Sequence, residues 1–509
     1  MSLTQVCDRE RGWSVVPELK ASQAVSQAVK MLTKIKTWQL TAGAATLGLA
    51  LSAVAVASAG PWDSSGQRTA EARRAVSQEA GGGTDHGRGG RSDEPDAAPS
   101  ARAVLAAPGG SAPGPTKGAL ADVLDPLLND PALGKRSTAA VVDAATGERL
   151  YGKSSGDALT PASTTKLATA VAALSMPGSD HRIDTKTVIE PDSSAHEVVL
   201  VGGGDPTLTA RKDAGPNASL RALADATAKE LKARDTDEIK LSYDTSLYSG
   251  PLLHPIGPNE NIAPVSALMA DEARMDDSSS GPAPRESDPA AATARKFADL
   301  LHDRGIRTKG EPGPGKASGD AEKLAEVSSP PVSALVERML THSDNDIAEA
   351  LARQVALATD EAASFDGGGA AIRKELDKLR LPLSGSHFAD GSGLDRADKV
   401  SADLLTQVLA HAVERERPGL RPVLTGLPVA GFTGTLSKRY TDEADAAGIG
   451  LVRAKTGTLT GVNTLAGTVV DADGRLLVFA FMTDGTVNPG QAQAALDRLA
   501  STVADCGCR

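Results

Sequence analysis

Residues Thr160–Ala170 read TPASTTKLATA, and the fold turns on whether the serine and lysine in it are a catalytic pair or helix decoration. Thr160 as a cap, with Pro161 at the first helical position, predicts a helix carrying Ser163 in its first turn. Leu167, Ala170, Val171 and Leu174 then form a buried stripe. Positions i and i+3 share a helical face, so Lys166 presents its amine beside the Ser163 hydroxyl. A serine hydroxyl is a poor nucleophile until a base takes its proton, and a desolvated lysine kept neutral is such a base. The positive helix end favours both an alkoxide and a lowered amine pKa. Alone the pattern decides little, because Ser-x-x-Lys is expected on the order of once by chance in such a chain.

Two distant stretches change the weighing. THSDNDIAEAL (Thr341–Leu351) holds Ser343-Asp344-Asn345 at a helix–helix junction, and AKTGTLTGV (Ala454–Val462) holds Lys455-Thr456-Gly457 on a strand. Each fully specified tripeptide has a chance expectation on the order of a tenth or less. Here both occur, in order, and complete the set Ser-x-x-Lys, Ser-Asp-Asn, Lys-Thr-Gly.

The surroundings give these motifs a scaffold. STAAVVDAATGERLYGKS predicts a β-hairpin, Ser137–Asp143 with Glu148–Lys153, around a Thr146-Gly147 turn. Leu120, Val123, Leu124, Leu127 and Leu128 before it recur at helical spacing. Near the C-terminus, LVRAKTGTLTGVNTLAGTVVDADGRLLVFAFMTDG predicts three antiparallel strands with a turn at Asp473-Gly474, and a last helix follows with Leu496, Leu499 and Val503 on one face. Two strands early and three late suggest one sheet whose middle is supplied by a long excursion. Val332–Leu340 and Asp346–Ala358 predict helices within that excursion, while about 187–318 reads as short strands and Gly/Pro turns, an inserted subdomain.

With the three motifs in place, the chain resembles the penicillin-recognising serine acyltransferases. Within them it is similar to the class C low-molecular-mass penicillin-binding proteins, which are D-alanyl-D-alanine carboxypeptidases, some also endopeptidases. LVGGGDPTL (Leu200–Leu208), YDTSLYSGP (Tyr243–Pro251), SDNDIAEAL (Ser343–Leu351), DGSGLDR (Asp390–Arg396) and AKTGTLTGVNTLAG (Ala454–Gly467) all look like segments of that family, over residues 117–505. About 180 residues separate Ser163 from Ser343, which fits a family with extra material there; class A β-lactamases have a much shorter gap.

The resemblance implies an α/β fold of the α+β type: a β-lactamase/transpeptidase-like antiparallel sheet flanked by helices, an all-helical part, an inserted subdomain, and a cleft between sheet and helices. It implies Ser163 as the acylated nucleophile and Lys166 as its proton acceptor. Ser343 would relay a proton to the leaving D-alanine, Asn345 would hold the substrate amide, and Lys455 would sit near the substrate carboxylate. Backbone N–H groups of Ser163 and Thr458 would form the oxyanion hole, beside Gly457, with Thr456 and Thr458 bonding the terminal carboxylate. The implied substrate is a peptidoglycan stem peptide, with β-lactams as covalent inhibitors and neither metal nor organic cofactor.

The remaining sequence bounds this reading. A formal charge of −11 without a basic stripe argues against nucleic acid as a partner. With aromatics at 3%, packing rests on Ala, Val and Leu. LTAGAATLGLALSAVAVASA (Leu40–Ala59) follows Lys30, Lys34 and Lys36 and ends in an A-x-A pattern, a secretory signal; uncleaved, residues 40–59 would be a membrane tether. Met31 offers a second start that gives a signal of normal size. The expected organisation is extension and signal 1–59, Gly/Ser/Pro-rich linker 60–116, transpeptidase-like parts 117–186 and 325–505, insert 187–324 and a Cys-containing tail 506–509, all destined for the outer face of the membrane or beyond. Cys506 and Cys508 read as free or intermolecular thiols, since a bridge across one residue would be strained.

Other segments carry less. VGGGD lacks a following Gly-Lys-Ser/Thr and reads as a strand-ending turn, His342 as a helix-junction polar residue, and DGSGL as a turn feeding a helix at Ser401–Val413. The rival functions are a β-lactamase or esterase of the same fold, which needs a residue to position deacylating water, and a non-catalytic wall-binding protein.

Overall fold

The computed structural model describes residues 114–191 and 196–507. The signal or anchor, the possible second start at Met31, nearly all of the linker and Cys508 lie outside them.

The hairpin forms as Arg136–Asp143 with Arg149–Lys153, and the late strands as Arg453–Leu459, Val462–Val470 and Leu476–Asp484. They make one antiparallel five-stranded sheet in which Arg136–Asp143 pairs directly with Leu476–Asp484. The expectation that the excursion supplies the middle of this sheet is therefore corrected: first and last strands meet, and the excursion leaves and returns without adding to it.

Alternation along the central strands separates two cores. Ala140, Val142, Ala466, Val478, Ala480 and Met482 face one set of helices, and Ala139, Val141, Leu465, Leu477, Phe479 and Phe481 face the other. The second face is covered by the terminal helices Lys117–Leu127 and Pro489–Ala504, which contribute Leu120, Leu124, Leu496, Leu499 and Val503. The first is covered by Thr165–Ala173 and Ala402–Val413, backed by Val332–His342, Asn345–Ala358 and Phe365–Lys378. Thr165–Ala173 is buried at all nine positions rather than on the predicted stripe, because it is sandwiched between sheet and helices.

The excursion builds a second sheet between Asp184 and Ser328, slightly wider than 187–324. Its strands run in the order Arg307–Thr308, Glu238–Asp244, Glu197–Val201, Asp184–Ile189, Glu322–Ser328. Glu197–Val201 and Glu238–Asp244 are parallel, so a crossover is needed. Leu220–Lys232 provides it, with Ser219 as its N-cap and Leu220, Leu223, Ala224, Ala228 and Leu231 buried on one stripe. Gly202–Asp205 follow the strand Glu197–Val201 without regular structure, and the turn comes after VGGGD, at Pro206-Thr207.

Cys506 departs from the sequence reading. It is disulfide-bonded and buried, so it is not a free thiol; Cys7 and Cys508 lie outside the described residues.

Candidate active site

Ser163 reaches its position by a tighter path than a capped α-helix. Ala162–Thr164 is a 3₁₀ turn with Pro161 at its N-cap, and the α-helix begins only at Thr165. Thr160 does not cap it; its hydroxyl accepts from Lys399 Nζ at 2.6 Å. Ala162 sits at φ +49°, in the left-handed region that L-residues disfavour. Two glycines hold it there. A Cβ on Gly457 would lie 2.6 Å from Pro161 O, and one on Gly393 1.9 Å from Ala162 O. Strand and loop thus press on the turn from two sides with bare backbone.

The Ser-Asp-Asn tripeptide is a junction in which each residue has its own backbone task. Ser343 ends Val332–His342 in the left-handed conformation, at φ 59° and ψ 38°. Asp344 caps the next helix, accepting from Ile347 N–H at 3.0 Å, and Asn345 is its first residue. His342 is exposed at the same junction. Lys-Thr-Gly lies on Arg453–Leu459, the edge strand of the five-stranded sheet.

These elements bring the predicted residues together. Lys166 Nζ lies 3.1 Å from Ser163 Oγ, and it donates to Asn345 Oδ1 at 2.6 Å and to Ser392 O at 2.6 Å. Lys455 Nζ donates to Ser343 Oγ at 2.9 Å and to its neighbour's carbonyl, Thr456 O, at 2.7 Å. Thr456 Oγ1 bonds Thr435 Oγ1 at 2.9 Å, and Thr458 is exposed. Ser163, Ser343, Asn345 and Thr458 line a cleft with Asn261, Arg274, Arg285 and Leu394. Asn345 Oδ1 accepts from Lys166, and its Nδ2 donates to Asn261 O at 2.9 Å.

Both lysines are fully buried. Burial brings Lys166 down from 10.5 to about 8, against the opposing pull of the Asp390, Glu349, Asp344 and Asp398 carboxyls. Burial and the nearby Lys166 amine push Lys455 well below the ordinary lysine range. The hydrogen bonds suit a base. A neutral amine has two N–H groups and one lone pair; Asn345 and Ser392 can accept the two hydrogens, which leaves the lone pair facing Ser163 Oγ.

The sequence reading missed what stands behind Lys166. DGSGL is more than a turn feeding the helix, which starts at Ala402 with Ser401 as its N-cap. Asp390 is buried and accepts N–H bonds from Ser392, Gly393 and Asp395, and His254 Nε2 lies 2.8 Å from its Oδ2. Burial favours the neutral acid, but the His254 and Gly393 hydrogen bonds outweigh it and hold Asp390 at about 2. Glu349, raised by burial and by Asp390, accepts from Gly391 N–H at 3.0 Å. The only sequence signal was acidic and glycine residues in one short loop.

Among the described residues two buried groups have the composition of metal ligands, and hydrogen bonds already occupy both. In His254, Glu349 and Asp390, the histidine is engaged at both nitrogens, by Ile256 N–H and Asp390. In Glu272, Asp344 and Asp346, Arg274 and Arg338 bind Glu272, and Arg285 binds Asp346 at 2.7 Å.

The model of the D-Ala-D-Ala carboxypeptidase 3 (S13) family matches residues 120–281 and 277–503. Carboxypeptidase DacB of Mycolicibacterium smegmatis is 35% identical over 409 residues, 78% of this chain and 86% of that protein. The D-alanyl-D-alanine carboxypeptidase of Actinomadura sp. is 29% identical over 445 residues, 73% of this chain and 82% of that one. The crystal structure of penicillin binding protein 4 (dacB) from Haemophilus influenzae, complexed with a β-lactam, shares the fold at a TM-score of 0.57 and 24% identity, covering 75% of this chain and 98% of that one. The chain belongs to the D-Ala-D-Ala carboxypeptidase 3 (S13) family of serine peptidases.

Proposed function

We propose that Ser163 is the nucleophile of this serine-type D-Ala-D-Ala carboxypeptidase and Lys166 its base. The observation that carries the reading is the hydrogen bonding of Lys166, whose two carbonyl partners leave its lone pair for Ser163 Oγ. Ser163 Oγ attacks the carbonyl carbon of the penultimate D-alanine of a stem peptide, and its proton passes to Lys166. As the C–N bond breaks, Ser343, hydrogen-bonded to Lys455, delivers its proton to the departing D-alanine amine and is reprotonated by the proton that Lys166 took, which returns Lys166 to the free base. Water then attacks the serine ester; Lys166 takes a proton from the water and passes it to Ser163 Oγ as the ester C–O bond breaks. The backbone N–H groups of Ser163 and Thr458, at the cleft wall, are assigned to the oxyanion, and Lys455, Thr456 and Thr458 to the terminal carboxylate. Gly457 allows the strand to approach the nucleophile turn.

A β-lactam presents a strained amide to the same atoms and should leave a long-lived ester on Ser163. A stem-peptide substrate and the export pattern at 40–59 support a location outside the cytoplasmic membrane, secreted or tethered. Intact-protein mass after incubation with benzylpenicillin tests the assignment: one adduct is expected on the parent and none on Ser163→Ala, while D-alanine release from a D-Ala-D-Ala pentapeptide follows the same pattern. An adduct on Ser163→Ala would sink it, and rapid consumption of the antibiotic would favour a β-lactamase.

A further inference from the structure

The residue behind the lysine is better defined than a turn requires. We infer that Asp390 is a positioning residue for the Lys166 amine: it fixes the Ser392 carbonyl that accepts one Lys166 hydrogen, and His254, from the chain excursion, fixes Asp390 in turn. The inference rests on the reading of Lys166 as the base.

Ser392 O accepts from Lys166 Nζ at 2.6 Å, but a carbonyl in a loop is only as well placed as the loop. Asp390 closes that loop on itself. Its Oδ1 accepts Ser392 N–H at 3.0 Å and Gly393 N–H at 2.5 Å, and its Oδ2 accepts Asp395 N–H at 2.8 Å. The loop is gripped outside as well: Gly391 N–H donates to Glu349, Gly391 O accepts from Thr169 Oγ1 at 2.6 Å, and Gly393 abuts Ala162 O. No slack remains between the Asp390 carboxylate and the Ser392 carbonyl.

His254 defines the charge. Its Nδ1 accepts Ile256 N–H at 3.2 Å, so its proton sits on Nε2 and is donated to Asp390 Oδ2 at 2.8 Å. Both side chains are fully buried. The contact crosses 136 residues, so the excursion is tied to the catalytic loop through one hydrogen bond. Asp390 therefore acts in two ways. It holds the acceptor that steers the amine lone pair, and its negative charge favours the ammonium form of Lys166.

Other groups face the same amine: Glu349, Asp344 and Asp398 on the acidic side and Lys455 on the cationic side. Asp390 itself faces His254, Glu349 and Asp398, with Arg353 paired to Glu349. Glu349 and Asp398 are both raised, by burial and by the Asp390 charge, so Asp390 is the carboxylate of the three held most firmly ionised.

The test is the pH dependence of the second-order rate of acylation by benzylpenicillin, on the full chain, for the parent and Asp390→Asn. Asparagine keeps the shape and one acceptor oxygen while removing the charge. The rising limb is expected to move to lower pH by about one unit, and its plateau to fall about tenfold. If asparagine opposite His254 impairs folding by setting donor against donor, Asp390→Asn/His254→Gln restores a complementary neutral pair, and the limb shift is expected there. A limb at the parent's pH, or loss of the fold in both variants, would confine Asp390 to a structural role and overturn the inference. Ser163→Ala and Lys166→Met separate this from failure of the underlying reading: if either still acylates at the parent's rate, the base and nucleophile assignments fail first.

Discussion

Replacing Gly457 by alanine should disable acylation by moving a strand, with no chemical group removed. The added Cβ would lie 2.1 Å from Thr464 Oγ1, 2.6 Å from Pro161 O and 3.2 Å from Ala162 Cβ. The threonine hydroxyl can rotate, at the cost of its 2.8 Å bond to Pro161 O, but the carbonyl belongs to the turn that carries Ser163 and cannot. Ordinary contact begins near 3.4 Å, so strand and turn must part by about 0.8 Å. The strand is the one to yield, since it is an edge strand paired on one side only. Lys455 moves with it and loses its 2.9 Å bond to Ser343. A displacement of about 1 Å between reacting groups costs on the order of 100-fold in rate, and overpacking costs about 1–3 kcal/mol in stability. The assay is the acylation rate with benzylpenicillin beside the thermal unfolding midpoint. Gly118→Ala is the control, since nothing lies within 4 Å of its Cβ and it sits in a helix. An acylation rate for Gly457→Ala within threefold of the parent would refute the claim that this contact sets the distance.

Lys166→Met should abolish acylation yet stabilise the fold. A lysine whose folded-state pKa is lowered from 10.5 to about 8 binds fewer protons folded than unfolded between those values, so the parent gains stability as pH rises from 8 to 10.5. The variant lacks that gain, and its advantage, up to about 3 kcal/mol at neutral pH, should shrink across this window in urea unfolding; a constant difference would mean the amine is not buried charged. Arg285→Ala should cost about 3–5 kcal/mol, because it leaves Asp346 buried beside Glu272 and Asp344 without its 2.7 Å partner. Burial already raises Asp346 to about 6, so the variant can protonate it cheaply in acid, and the penalty should be smaller at pH 5 than at pH 8. An equal penalty at both would mean that Arg285 acts by packing.

Local pattern made the hairpin, the last three strands and the helices around Ser343 readable, because each declares itself within one period of alternation or one helical turn. Ser163, Lys166, Ser343, Asn345 and Lys455 were readable as a set of three short motifs, although none of their contacts across the cleft was. What stayed hidden depends on groups with no sequence signal. Ser392 serves through its carbonyl, which every residue owns. Ala162 takes a left-handed conformation imposed by Gly393 and Gly457, which lie far along the chain, so a helix starting at Pro161 was the natural expectation and the wrong one. His254 meets Asp390 across 136 residues, and no spacing rule reaches that far.

Why a Ser-x-x-Lys pair needs so much of the chain follows from the lysine's own valence. On a solvent-exposed helix the same two residues would share a face, but water would keep the amine protonated and its lone pair unavailable. Burial removes the water and favours the neutral amine, yet a buried neutral amine still carries two hydrogens that must find acceptors or direct themselves at the serine. Asn345, from the helix junction, and Ser392, from the Asp390 loop, take those two positions from different segments. The nearby carboxylates then stop the pKa from falling too far: about 8 is low enough for roughly a tenth of the molecules to hold the free base at pH 7, and high enough for that base to accept a serine proton. Desolvation alone would give a weaker base, and charge alone a permanent ammonium. On the proposed reading the pair is catalytic because both act on it from parts of the chain that meet only when it is folded.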